Sequence, residues 1–273
     1  MSPVTNTTSY RYPNEHLILA GTVVLVLLVI IFTSAATFCL SFVFVIAVVF
    51  MAYTSVKAHH RELLTKAYRV TPDNEPALGE VVQEAAVRLQ VEPVQVFIVR
   101  SRDINAYTFG LESPKAVVLY SPLFQLMDRQ ELQFIIGHEL GHVRLGHTEL
   151  NSLVGGMAGI PTSISAALIL NLALLSWTRA CEYSADRAGL LACGDLRKAI
   201  TALVKLEARS TDPRALQEAL ARLDAQDDDP TNLLGELLMT HPLVIKRIDR
   251  LRNFARTAAY KRLQESVNQN LLS

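Results

Sequence analysis

Asp128-Arg129-Gln130-Glu131-Leu132-Gln133-Phe134-Ile135-Ile136-Gly137-His138-Glu139-Leu140-Gly141-His142 is the run that organises the whole chain. Asp128 with Glu131 three positions on is a capping box, in which two side chains satisfy free amides at a helix start. A helix is therefore expected from Arg129, with the apolar turn Phe134-Ile135-Ile136 ahead of two histidines. His138 and His142 are one helical turn apart on one face, so both imidazoles can reach a single ion. Zinc suits imidazole nitrogen, and Glu139 beside the first histidine can hold a water at the metal's open position as general base.

A third ligand is needed, and Glu182-Tyr183-Ser184-Ala185-Asp186 supplies it, also read as helical. Glu182 completes a three-residue set that leaves the fourth position for water, as in catalytic zinc sites. Asp186 lies one turn later on the same face, where it can accept from a ligand imidazole and fix its tautomer. An ordinary acidic surface pair is the plainer reading, and the histidine–glutamate motif outweighs it. His147 follows His142 by five positions, which rotates it about 140° away at 3.6 residues per turn. It is read as an outer partner or a structural residue, and Cys181 as a small buried residue. One zinc ion per chain follows. A donor opposite the developing oxyanion is also required, and His241, Arg247, Tyr183 and Tyr107 are all candidates.

Upstream, residues 75–89 carry Leu78, Val81, Val82, Ala85 and Leu89 at helical spacing. Val94 to Val99 has strand composition, Ile104 to Gly110 follows, and Ala116 to Tyr120 reads as a third strand. Three short strands so close together suggest a small, largely antiparallel sheet. Downstream everything reads as helix: Asp195 caps Leu196 to Ala208, and Pro242 opens an amphipathic helix bearing Val244, Ile248 and Leu251. Asp227-Asp228-Asp229 is a solvated loop rather than a calcium site. The fold class is α+β, a predominantly helical zincin-type domain with a small sheet.

Leu17 to Val56 contains no charged side chain in a chain that is 50% hydrophobic overall. One crossing needs roughly 20 apolar residues, so this run is long enough for a transmembrane hairpin turning near Thr33-Ser34-Ala35-Ala36-Thr37. The expected organisation is a polar tail (1–16), the hairpin (17–56) and a metallopeptidase domain (57–273). Lys57, Arg61, Lys66 and Arg69 follow the hairpin, which favours cytoplasmic termini and a cytoplasmic catalytic domain. Residues 152–177 are apolar too, yet too few for two crossings, and a single crossing would separate His142 from Glu182. They are expected to turn near Gly155, Gly156, Gly159 and Pro161 without spanning. The formal net charge of zero and the lack of a basic stripe give no case for nucleic acid. The three cysteines form no disulfide framework.

Taken together, the histidine motif, Glu182 with Asp186, the upstream Asn105-Ala106-Tyr107 and the downstream Thr240-His241-Pro242 resemble the HtpX-like and CAAX-prenyl-protease-like membrane zinc metallopeptidases. The resemblance covers roughly residues 70–255. It implies zinc-dependent endopeptidase activity on polypeptides at the membrane, often in protein quality control. It also implies that the Asn105-Ala106-Tyr107 strand borders the substrate cleft and that Asp186 is the outer aspartate. His241 is implied near the active site, as oxyanion donor or as a blocking ligand. The competing reading is a metal-binding membrane sensor or scaffold. Glu139 argues against it, because a structural metal site has no use for a base.

Overall fold

The computed structural model describes residues 10–36, 40–156, 165–208, 214 and 244–270. The order is α1 (Glu15–Ala36), α2 (Leu40–Lys66), β1 (Tyr68–Val70), α3 (Pro76–Leu89), β2 (Gln95–Val99), β3 (Ala106–Phe109) and β4 (Ala116–Tyr120). There follow α4 (Leu123–Leu126), α5 (Arg129–Leu145), α6 (His147–Gly156), α7 (Ser165–Cys193), α8 (Leu196–Ala208), α9 (Val244–Ala255) and α10 (Ala258–Asn270). The protein is thus mostly helical with a small sheet.

The expected cap starts α5: Asp128 Oδ1 accepts from the Gln130 and Glu131 amides at 3.0 Å each, and Glu131 accepts from the Asp128 amide at 2.9 Å. Gly146 ends it with a positive φ of 76°, which glycine adopts without steric cost. Asp195 caps α8 in the same way, accepting from the Arg197 and Lys198 amides at 2.8 and 3.3 Å.

The sheet runs β1-β2-β4-β3. Its outer pairs are antiparallel, but the central β2–β4 pair is parallel, so the largely antiparallel expectation is corrected to a mixed sheet. Instead of inserting beside β2, β3 turns back on β4 and leaves itself at the edge. β1 was not anticipated, being only three residues long. β4 is buried on both faces. Val117 and Leu119 join the main core with Phe134, Ile136 and Leu140 of α5. Ala116 and Val118 pack instead with Phe97, Phe109 and the α2 residues Val56 and Leu63. This is the alternation that a strand imposes on successive side chains.

α5 lies unusually close to α7. A Cβ on Gly137 would sit 2.3 Å from Ala192 Cβ, and one on Gly141 would sit 2.5 Å from Ala188 Cβ. From the other side, a Cβ on Gly189 would meet the Phe134 carbonyl at 2.8 Å. Only hydrogen fits at these three positions, and the resulting contact presses the two motif-bearing helices together.

α1 is long and apolar enough to cross a membrane, and Leu27, Ile31 and Phe32 stand exposed on it. α2 packs beside α1 and then continues as a polar segment over the sheet. The chain just before α1 is part of the core. Tyr10 is buried there, the Tyr12 amide donates to Ser184 Oγ at 2.8 Å, and Arg187 donates to the Arg11 carbonyl at 2.8 Å. The turn expected at Gly159 and Pro161 lies outside the described residues, between α6 and α7.

Candidate metal centre

α5 carries His138, Glu139 and His142, and the close helix contact brings Glu182 of α7 opposite them; all four are buried. The two imidazole Nε2 atoms lie 3.2 Å apart. Glu182 Oε2 is 3.6 Å from His138 Nε2, and Glu182 Oε1 is 3.4 Å from His142 Nε2. Donors at 2.0–2.1 Å from one ion in tetrahedral arrangement lie about 3.3 Å from each other, so these separations are of the size that a shared ion requires, and the three residues are close enough to hold one.

The outer contacts point the same way. His138 Nδ1 lies 3.0 Å from Asp186 Oδ1, so it carries the proton and Nε2 presents a lone pair. His142 Nδ1 lies 3.1 Å from His147 Nδ1, leaving its Nε2 to face the same point. Two lone pairs and a carboxylate converging in a buried space repel one another unless a cation stands between them. The residues therefore fit a metal ion.

Arg247 of α9 holds the arrangement from outside. Its Nε and Nη2 donate to Asp186 at 2.9 and 2.6 Å, a two-pronged pair. Burial alone would raise the Asp186 carboxyl, but the Arg247 charge and its hydrogen bonds hold it below the usual aspartate range. Burial raises Glu139 above the usual glutamate range, partly offset by the neighbouring histidines. Burial, helped by the neighbouring His142, lowers His147 to about 4 against the opposing pull of Glu15.

A cleft of about 380 Å³ opens onto these groups. Asn105 and the edge-strand residues Ala106, Tyr107 and Thr108 line it together with His138, Glu139, His142, Glu182 and Arg247. Burial pushes the Tyr107 hydroxyl up to about 12, and it lies 2.9 Å from His59 Nε2 of α2. Tyr183 packs instead against Tyr12, with ring centroids 4.9 Å apart, and does not line the cleft. His241 lies outside the described residues, as does Asp227-Asp228-Asp229.

Two features escaped the sequence reading. One is the small-residue seam of Gly137, Gly141 and Gly189, whose signal in the sequence is the four-residue glycine spacing on α5. The other is Glu15, which lies 3.0 Å from His147 Nε2. Its signal was an acidic residue at the very mouth of the long apolar run.

A mostly helical domain with a small mixed sheet, and a buried His–Glu–His–Glu constellation beside an edge strand, defines a metallopeptidase. The model of peptidase family M48 matches residues 72–255, and this chain belongs to that family. It is 29% identical over 208 residues to the plastoglobule-localized metallopeptidase 48 of Arabidopsis thaliana, covering 70% of this chain and 60% of that protein. A protease HtpX homolog of Streptococcus uberis is 26% identical over 230 residues, covering 70% of this chain and 77% of its own length. The crystal structure of Ste24p from S. mikatae aligns over 86% of this chain and 63% of its own, with a TM-score of 0.49 and 16% identity.

Proposed function

We propose that this chain is a membrane-anchored zinc endopeptidase, with one zinc ion held by His138, His142 and Glu182 and with Glu139 as general base. The carrying observation is the convergence of buried acceptor atoms: the two Nε2 atoms 3.2 Å apart, with one Glu182 oxygen 3.4 Å from His142 and the other 3.6 Å from His138. When bound, zinc supplies Lewis acidity towards a scissile carbonyl and an acidified water. A cation beside Glu139 counteracts its burial and favours the carboxylate. Glu139 then takes a proton from the attacking water and delivers it to the leaving amine. Asp186 orients His138, and Arg247 anchors Asp186. His241 and Arg247 remain the candidate donors to the oxyanion.

Polypeptide substrates would pair with β3. The Tyr120 amide donates to the Asn105 carbonyl at 3.0 Å, so alternation along an antiparallel ladder turns the Ala106 and Thr108 amides outward. Main-chain pairing gives affinity with little sequence selectivity, which suits removal of damaged membrane proteins. α1 and the apolar part of α2 form the transmembrane hairpin, with the catalytic domain on the cytoplasmic face and residues 152–177 not crossing.

The test is metal analysis and casein cleavage by the detergent-purified protein. Wild type should hold one zinc and cleave, with chelator abolishing both. His138→Ala, His142→Ala and Glu182→Ala should lose zinc. Glu139→Gln should retain it while turnover falls by about 10²–10⁴, the range for a general base. Full zinc occupancy in Glu182→Ala would remove that residue from the scheme.

A further inference from the structure

Glu15 begins the helix that enters the membrane, yet it is buried, with 2% of its surface exposed, and none of the chemistry above uses it. His147 Nε2 lies 3.0 Å from Glu15 Oε1, and His147 Nδ1 lies 3.1 Å from His142 Nδ1. Three side chains from three helices thus form one line that ends on a metal ligand.

The direction of the protons along it follows from valence. A neutral imidazole has one N–H and one lone pair. His142 must present its Nε2 lone pair to a metal, so its proton is on Nδ1 and is donated to His147 Nδ1. His147 accepts there only if its own proton is on Nε2, and that proton needs an acceptor. Glu15 is the acceptor. The opposite tautomer of His147 would set two N–H groups against each other at 3.1 Å and leave the Glu15 carboxylate facing a lone pair.

We infer that Glu15 is a positioning residue for the metal site, fixing the tautomer of His147 and through it the orientation of His142. The carboxylate is itself held in place. The Ser184 hydroxyl donates to Oε2 and Arg11 donates to Oε1. Arg11 also donates to the Leu145 carbonyl at the end of α5, at 2.6 Å. These contacts tie Glu15 to both helices that carry the ligands. Glu15, His147 and Cys181 lie close enough to hold a second ion, but the Arg11 guanidinium on Glu15 opposes a cation there. A hydrogen-bonded chain accounts for all the contacts.

The inference rests on the zinc reading, and the experiment separates the two. Zinc affinity is measured by chelator competition on the full-length protein in detergent, for wild type, Glu15→Ala and Glu15→Gln, alongside the melting temperature of each metal-free form. Outer partners of ligand histidines typically contribute 10–100-fold in metal affinity. Glu15→Ala should weaken zinc binding by that amount. Glu15→Gln, whose side-chain carbonyl accepts the same bond, should recover most of it. Imidazole ¹⁵N resonances of the wild-type zinc form should show His147 protonated on Nε2 and His142 on Nδ1. Unchanged affinity in Glu15→Ala, or His147 protonated on Nδ1, overturns the inference while leaving the zinc reading intact. So does a loss in both variants that merely tracks a fall in melting temperature, or a second ion removed by Cys181→Ser. A wild-type protein that binds no zinc overturns both.

Discussion

Arg247 has two bonds to Asp186 and sits 3.7 Å from Glu182, so removing it leaves a buried carboxylate without its cation. Arg247→Ala should cost about 3–5 kcal/mol, the usual effect of breaking a buried pair from one side, measured by denaturant unfolding. Arg247→Lys should restore charge but not the fork geometry, and zinc affinity should stay below wild type. His241→Ala tests the remaining donor. Loss of an oxyanion donor should lower turnover by roughly 10²–10³, whereas higher activity would identify a blocking ligand. The grouping of His138, Glu139 and His142 at the candidate site is legible because a helix converts a spacing of four into a shared face. Glu182 was readable only beside that motif. Glu15 was not, because its partners His147 and Ser184 are 132 and 169 positions away in sequence, and no local periodicity encodes such a contact.

The α5–α7 contact makes a prediction that no single functional residue makes. Gly141→Ala places a methyl group 2.5 Å from Ala188 Cβ, and overpacking of this kind typically costs about 1–3 kcal/mol. The helices must separate, carrying Glu182 away from the histidines, so zinc affinity should fall together with melting temperature. Gly141→Ala combined with Ala188→Gly removes the clashing methyl and should restore part of both, and its failure to do so would place the strain elsewhere. At the sheet edge, proline at position 106 or 108 removes an outward amide without breaking the β4 ladder. Each variant should fold and bind zinc but cleave casein more slowly through a raised KM. The helices were legible from caps and apolar spacing, and three short strands from their place between turns, the first also from its β-branched content. The parallel β2–β4 pairing was not, since strand order depends on which edge each strand reaches in space.

The N-terminal helices and the domain that carries the candidate site are built as one body. Val56 and Leu63 of α2 cover one face of the sheet, and Tyr10 is buried in the core beneath α5 and α7. A fragment limited to the family-matched residues 72–255 lacks all three. It should therefore melt less cooperatively and bind zinc more weakly than the full chain, by circular dichroism and chelator competition. A cysteine introduced at Ile160, which lies outside the described residues, should resist labelling from the non-cytoplasmic side, and efficient labelling there would require a crossing. Joining residue 11 to residue 187 also sets a schedule during synthesis. The first apolar helix leaves the ribosome long before the helix that grips the residues just ahead of it. At 5–20 residues per second, the wait between Glu15 and Ser184 is roughly 10–30 s. Throughout that interval the residues just ahead of α1 lack the α7 partners, Ser184 and Arg187, that hold them in the finished fold.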